Sequence, residues 1–319
     1  MIDRILVPLD GSHTAECALP HAEAIARRCG AETTLVRIID QGPSPRSAVD
    51  ARLREAEANA YLREKCSWLE ARGLKARSVV RQGKSADEII ACVRDAGIDL
   101  IVLSTHGRGG PGPFRMGGIA EKVVGHAATS VMLIRAPREM TREGEVDYGT
   151  VMVPLDGSPQ AEWALCLATS LTSAAGADLL LVEAVPIPEV SRNLPRSERE
   201  QSLRRRLVRA DRRAARLRLL GLKQRLESTG QHVDVRVAVT RNVAETLHRI
   251  AESEHVGLVV LSAHGASGAS RAGYGGVASH LIAAGTTPLL ILQDAPCRDG
   301  DTNRTRAARV GMTSNGVGA

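Results

Sequence analysis

Two polar clusters, each directly after an apolar run, contain residue types that could bind an anionic ligand. Residues 10–12 spell Asp-Gly-Ser, and Asp10 could accept hydrogen bonds from amino or hydroxyl groups of a ligand. Residues 104–107 spell Ser-Thr-His-Gly, and a second glycine pair follows at 117–118. Because glycine lets backbone N–H groups approach a phosphate closely, the second cluster favours phosphate binding.

Both clusters occur twice in the chain. The Asp-Gly-Ser cluster returns 146 residues later at 156–158, again after Val-Pro-Leu. The Ser-x-His-Gly cluster returns 158 residues later at 262–265, and the glycine pair returns at 275–276. A repeat of this length indicates two copies of one domain.

The chain length agrees with this duplication, because 319 residues correspond to about two domains of about 150 residues each. We predict domains at residues 1–136 and 147–294, joined by a polar linker at 137–146. Residues 295–319 are rich in Arg, Gly, Asn and Thr without apolar periodicity, and we predict a disordered tail there.

Each copy contains five short apolar runs rich in Val, Ile and Leu, with helical segments between them. Nearly continuous apolar runs are typical of parallel strands that are buried on both faces. Five strands alternating with four helices predict an α/β fold with a doubly wound parallel sheet in each copy. The runs span 4–9, 33–39, 75–80, 100–103 and 131–134, and then 150–155, 179–185, 233–239, 258–261 and 289–292.

The predicted topology brings the two clusters to one edge of the sheet. Ligands of doubly wound sheets bind beyond the carboxyl ends of the strands, where the strand order reverses. A helix predicted after Gly118 would add the partial positive charge of its N-terminus. A purely structural interpretation is that the aspartate and serine only form a turn and a helix cap, while the glycines only close the sheet edge. The recurrence of both glycine clusters at a fixed separation favours phosphate binding.

The chain resembles the universal stress protein family over both copies. The nucleotide signature of that family is G-x-x-G, nine residues, and then Gly followed by Ser or Thr. Here residues 104–107 are followed by nine residues and by 117–118, and residues 262–265 by nine residues and by 275–276. The Val-Pro-x-Asp start and the Ala-Glu-x-Ala-Leu helix after it also match in both copies.

This resemblance implies a Rossmann-like fold of the adenine-nucleotide alpha-hydrolase type, with ATP or another adenine nucleotide as ligand and Mg²⁺ accompanying ATP. Asp10 and Asp156 would meet adenosine, Ile38 and Ala184 would line the adenine pocket, and the glycine clusters would hold ribose and phosphates. The implied binding residues are Pro8, Asp10, Ile38, Ser104, His106, Gly107, Gly110, Gly117, Gly118 and Ile119, and, in the second copy, Pro154, Asp156, Ala184, Ser262, His264, Gly265, Gly268, Gly275, Gly276 and Val277.

The resemblance also implies that the two halves pack as a pseudo-dimer, because family members pair through their last strands. Those strands are predicted here at Val131–Ile134 and Leu289–Leu292.

Several departures weaken the nucleotide signature. Ser104 and Ser262 stand where the signature opens with Gly, and Pro111 and Pro113 stiffen the first loop. Gly118 and Gly276 stand where the family has Ser or Thr, so a side-chain phosphate ligand is missing. Arg241 stands in the second copy where the first has Gly83.

One segment carries most of the basic charge of the protein. The chain has a net charge of +6, whereas residues 192–225 contain 13 Arg or Lys and three acidic residues. Apolar residues recur in this segment at steps of four and three, which predicts an amphipathic helix. They are Leu203, Leu207, Ala210, Ala214 and Leu217. The segment is interpreted either as a solvated face or as a docking surface for an acidic partner, RNA or anionic lipid.

Composition disfavours several other functional classes. Only six residues are aromatic, which argues against proteins that bind nucleic acid by stacking bases. The N-terminus has no secretory pattern, and no apolar stretch is long enough to span a membrane. The cysteines show no C-x-x-C spacing. We therefore expect a cytoplasmic protein without a membrane or nucleic-acid partner.

Two functions remain open from the sequence. The first is a stress-response regulatory protein that binds ATP and hydrolyses it slowly at most, with no assigned catalytic residue or protein metal site. The second is a nucleotide-independent interaction scaffold that docks a partner through the basic helix at 192–225. The missing Ser or Thr after Gly117 and Gly275 supports the second. Self-association of the tandem chain as a homodimer is compatible with both.

Overall fold

The computed structural model describes most of both halves. The described residues are 2–40, 48–107, 116–127, 129–135, 146–188, 198–265 and 274–293. The predicted tail at 295–319 and nearly all of the predicted linker lie outside this part of the chain, as do Gly110 and Gly268.

The first half alternates strands and helices as predicted. Its strands are β1 (Arg4–Pro8), β2 (Glu32–Ile39), β3 (Ala76–Gln82), β4 (Leu100–Ser104) and β5 (Ser130–Ile134). Its helices are α1 (His13–Glu16), α2 (Ala18–Cys29), α3 (Ala48–Glu70), α4 (Ser85–Ala96) and α5 (Gly118–His126).

The second half repeats this order, with one helix in place of α1 and α2. Its strands are β6 (Thr150–Leu155), β7 (Asp178–Pro186), β8 (Val233–Thr240), β9 (Leu258–Ser262) and β10 (Leu289–Leu292). Its helices are α6 (Pro159–Ala175), α7 (Glu198–Glu227), α8 (Val243–Ser253) and α9 (Gly276–Ala284).

The ten strands form one sheet in the order β3-β2-β1-β4-β5-β10-β9-β6-β7-β8. Within each half all pairings are parallel, which confirms the predicted doubly wound fold. The strands β5 and β10 pair antiparallel, with Leu290 opposite Met132. The two predicted five-stranded sheets are therefore continuous with each other through their last strands.

Helices cover both faces of this sheet, which explains why the strands are almost continuously apolar. In β1, Ile5 and Val7 pack on the side of α2, α3, α6 and α7. Leu6, between them, packs on the side of α4, α5, α8 and α9. Because successive side chains of a strand point to opposite faces, burial on both sides requires apolar residues at every position.

The two halves also contact each other outside the paired strands. The helices α2 and α6 lie side by side on one face of the sheet. There Nδ1 of His21 lies 3.0 Å from the hydroxyl oxygen of Tyr148, which precedes β6. On the other side, the Arg135 guanidinium donates to the carbonyl oxygens of Leu281 and Ile282 near the end of α9.

The basic helix is present, but its predicted apolar face does not face the core. In α7 the buried residues are Ala215 and Leu219, and Leu222 and Leu226 pack partly against the core. The leucines of the predicted stripe remain exposed, with 59% exposure at Leu203. Two stripes with similar spacing occur on this helix, and spacing alone could not tell which one would meet the sheet.

The described residues include no helix that is both long and apolar enough to cross a membrane.

Candidate functional site

A crevice opens in each half where the strand order reverses. In the first half β1 lies between β2 and β4, and in the second half β6 lies between β7 and β9. The chain leaves β1 toward Asp10 and leaves β4 toward His106. These loops meet at the carboxyl edge of the sheet, where doubly wound proteins bind ligands.

The aspartate at this edge is held in place by the serine two residues later. The backbone N–H and hydroxyl of Ser12 donate to Oδ1 of Asp10, at 2.9 and 2.5 Å. The Ser12 hydroxyl oxygen also accepts from the N–H of Ala15 and so caps α1. In the second half Ser158 donates to Oδ1 of Asp156 at 3.0 and 2.6 Å. The serines therefore cap the helices, as the sequence predicted, and also fix each carboxylate.

The other carboxylate oxygen lies against the glycine that follows the histidine. A Cβ atom built on Gly107 would overlap Oδ2 of Asp10. A Cβ atom on Gly265 would overlap Oδ2 of Asp156 in the same way. The two polar clusters are thus adjacent in both halves, and the close approach of the aspartate by itself explains why glycine occupies these positions.

A backbone hydrogen bond connects the glycine pair at the start of α5 to the loop that follows β4. The N–H of Gly117 donates to the carbonyl oxygen of Thr105 at 2.8 Å, and Gly275 donates to Ala263 at the same distance. Among the described residues, no heavy atom would lie within 4 Å of a Cβ atom on Gly118 or on Gly276. No described residue therefore covers the backbone in the first turns of α5 and α9 beside the crevice.

The remaining predicted residues surround this edge. Pro8 and Pro154 lie at or next to the ends of β1 and β6, and Ser104 and Ser262 end β4 and β9. Ile38 and Ala184 lie near the ends of β2 and β7 and are partly buried. Ile119 and Val277 follow the glycine pairs in the first turns of α5 and α9, and His264 lies in the loop after β9.

His106 shows an unusual environment in the first crevice. Its Nδ1 lies 3.1 Å from the Thr105 hydroxyl oxygen. Its Nε2 is buried and has no hydrogen-bond partner among the described residues. A buried polar atom without a partner is uncommon in folded proteins, and it is expected to be satisfied when a ligand or water lies beside it.

Sequence reasoning missed the role of Ser12 and Ser158 as anchors for the aspartates. The signal that could have revealed it was the Asp-Gly-Ser tripeptide, since an aspartate commonly accepts hydrogen bonds from groups two residues later. No group of three His, Cys, Asp or Glu residues in the described part of the chain could hold a metal ion.

Comparison with known proteins identifies the family. The family model described as "Universal stress protein family" matches residues 1–135 and again residues 147–293. The chain belongs to the universal stress protein family. Both crevices lie within the matched segments.

Individual relatives match about one half of the chain each. Two universal stress proteins of Methanocaldococcus jannaschii are 27% identical over 142 residues and 25% identical over 155 residues. These alignments cover 43% and 42% of this chain, and 84% and 96% of the relatives.

A solved structure matches nearly the whole chain. A universal stress protein from Archaeoglobus fulgidus superposes with a TM-score of 0.63 at 16% identity. The match covers 91% of this chain and 98% of that protein. At this identity the comparison establishes the fold, including its duplicated arrangement, and says nothing about ligands.

Proposed function

We propose that the two crevices bind adenine nucleotides, ATP above all. The observation that carries this proposal is the fixed aspartate packed against the loop glycine at the point of strand-order reversal. It occurs twice, in the same form, at Asp10 with Gly107 and at Asp156 with Gly265. The rest of each predicted residue set, from Pro8 to Ile119 and from Pro154 to Val277, is proposed to complete the contacts.

Each part of the crevice suits one part of a nucleotide. A carboxylate has about four acceptor positions, so Asp10 can accept from a hydroxyl or amino group while Ser12 holds it. The N–H groups in the first turn of α5 have no partner within the helix, and this end of the helix dipole is positive, both of which favour phosphate. Ile38 and its counterpart Ala184 supply apolar surface for a base.

The nucleotide is proposed to act as a regulatory ligand rather than as a rapidly consumed substrate. The described residues hold no metal cluster, so an accompanying Mg²⁺ would be bound mainly by the phosphates themselves. Nucleotide binding would bias the conformation or association of a cytoplasmic stress-response protein. The antiparallel pairing of β5 with β10 supports the proposal that domains 1–136 and 147–294 act as an intramolecular pseudo-dimer.

Calorimetric titration of ATP into the full chain tests this function. We expect saturable binding that is lost in the double variant Asp10→Ala/Asp156→Ala. Asp178→Ala serves as the matched control, because Asp178 begins β7 at the opposite edge of the sheet. Absence of binding at millimolar ATP, or equal loss in the control, would contradict the proposal.

A turnover assay on the same preparations distinguishes a nucleotide that is only bound from one that is hydrolysed. We expect slow phosphate release at most, and any release should disappear in the variant that no longer binds. Turnover that persists in that variant would indicate a contaminating enzyme.

A further inference from the structure

The first half of α7 is much more exposed than the second half. No residue between 198 and 214 is buried, whereas Ala215 and Leu219 in the second half of the helix are fully buried. Only Arg204 and Val208 in this half are partly buried, on the side that continues to Ala215 and Leu219, so the opposite side of the first half of α7 faces outward.

An apolar stripe runs along this projecting segment. We define the leucine stripe as Leu203, Leu207, Ala210, Ala214 and Leu217, and its three leucines are 59%, 46% and 62% exposed. Steps of four and three residues place all five side chains on one side of a helix. This is the spacing with which one helix packs its side chains between those of another.

A row of arginines borders the leucine stripe. We define the arginine row as Arg199, Arg206 and Arg213, which recur every seven residues and so stay on one side of the stripe. Arg206 and Arg213 are exposed, and neither forms an ion pair with a described residue. Positions that flank an apolar stripe commonly select the partner helix through charge.

The fold itself does not require this charge. The corresponding helix of the first half, α3, has four basic and five acidic residues, whereas α7 has eleven basic and four acidic ones. In both helices the buried residues lie toward the C-terminal end, from Ala58 onward in α3 and from Ala215 onward in α7. Arginines spaced four apart, such as Arg205 with Arg209, repel each other and weaken an isolated helix. The packing of the fold therefore does not account for the basic charge of α7.

From these observations we infer that the first half of α7 docks an acidic amphipathic helix of a partner protein. The leucine stripe would pack against apolar residues of that helix, and the arginine row would pair with carboxylates beside them. RNA would leave the leucines exposed, and α7 contains no aromatic residue on which a base could stack. Two α7 helices from separate copies would repel each other through their like charges.

A synthetic helical peptide tests this inference with the full chain. The probe carries Leu at the stripe positions of each heptad and Glu at the flanking positions, and a second peptide carries Lys instead of Glu. We expect fluorescence anisotropy to show binding of the Glu peptide only. The double variant Arg206→Glu/Arg213→Glu should weaken it by about tenfold or more.

Two further variants separate specific docking from general charge attraction. Arg205→Glu/Arg212→Glu makes the same charge change on the side of the helix away from the stripe, and it should weaken binding by less than about threefold. Leu203→Gln/Leu207→Gln should weaken it by about tenfold or more. Circular dichroism checks that each variant keeps its helices.

Any of three results would overturn the inference. The Glu peptide could fail to bind, the two arginine double variants could weaken its binding equally, or the leucine double variant could leave its binding unchanged. An RNA oligonucleotide or anionic vesicles could instead bind more tightly than the Glu peptide. If only the two arginine double variants weakened that binding, the surface would be assigned to that ligand.

Discussion

The two crevices share their backbone arrangement but differ in the charges around it. Both have the fixed aspartate, the adjacent glycine and an open helix start. The first turn of α5 contains Glu121, whereas the first turn of α9 has no acidic residue. The loop after the third strand carries one cation in each half, Lys84 beside Gly83 and Arg241 beside Asn242. At the helix start, a phosphate chain would therefore meet a more favourable potential in the second half.

The apolar surface beside each aspartate differs as well. Ile38 of β2 pairs with Arg81 of β3, whereas Ala184 of β7 pairs with Ala238 of β8. The second half has smaller side chains there and hence more room for a base. The comparison shows that duplication kept the parts fixed by backbone hydrogen bonds, while the surrounding side chains diverged. We expect the second half to bind the nucleotide more tightly.

The largest expected effect comes from filling the contact between glycine and aspartate. Gly265→Val should displace the Asp156 carboxylate and weaken ATP binding in the second half by roughly a hundredfold. Gly107→Val should act on the first half alone. Neither glycine has a positive φ, so the added side chain acts through overlap and not through backbone strain.

Calorimetric stoichiometry distinguishes these two glycine variants. Gly265→Val should remove the tighter of two binding events and leave the weaker one. Gly276→Ala is the matched control, since its Cβ would meet no atom of the described residues within 4 Å. If Gly107→Val removed the tighter event instead, the proposed ranking of the halves would be wrong.

The next prediction concerns the stability of the fold and its dependence on His21, which contacts Tyr148 of the second half. Burial lowers the pKa of His21 to about 4 from an ordinary 6.5. Between these two values the unfolded chain binds a proton at this position and the folded chain does not. Stability should therefore fall as pH drops from about 6.5 to about 4, by about 3 kcal/mol from this group.

Urea denaturation across this pH range measures the His21 contribution. The second half has Leu167 at the position that corresponds to His21. The double variant His21→Leu/Tyr148→Phe makes the contact apolar without leaving a buried hydroxyl unpaired. It should lose this part of the pH dependence. An unchanged slope would mean that His21 is protonated in the folded protein.

Adding the hydroxyl that the family signature contains should strengthen binding. Gly118→Ser and Gly276→Ser place a side chain at the helix start, where no described residue would overlap it. Each should raise the ATP affinity of its half by about threefold to tenfold through one added hydrogen bond to phosphate. Titration of both variants checks this, with the corresponding alanines as controls. A gain that alanine also gives would rule out the hydroxyl as its cause.

The smallest expected effect tests the charge difference directly. Glu121→Ser gives α5 the residue that α9 has at the same position, Ser279. Removing one negative charge from a helix start should raise affinity for ATP in the first half by about twofold to fivefold. The gain should shrink as salt concentration rises. Lys122→Ser, next to Glu121, is the control and should give no gain.

Much of the fold could be predicted because its signals are local. Apolar runs marked all ten strands, and Ser12 and Ser158 marked helix starts correctly. The packed side of α7 could not be predicted, because Leu203 and Leu219 belong to stripes of equal quality. Which stripe is buried depends on how α7 meets β7 and β8, and that is settled by contacts distant in sequence.

For the candidate site too, some features could be predicted from the sequence and others could not. The sequence by itself identified Asp10, Asp156 and the glycine clusters, since residue type and the repeat spacing need no coordinates. Only the tertiary structure showed that Gly107 and Gly265 are pressed against the aspartates and that no described residue crowds Gly118 or Gly276. The room around a residue depends on atoms that the fold brings together from separate strands. The sequence therefore determined which residues meet at the sheet edge, and packing decided how close they come.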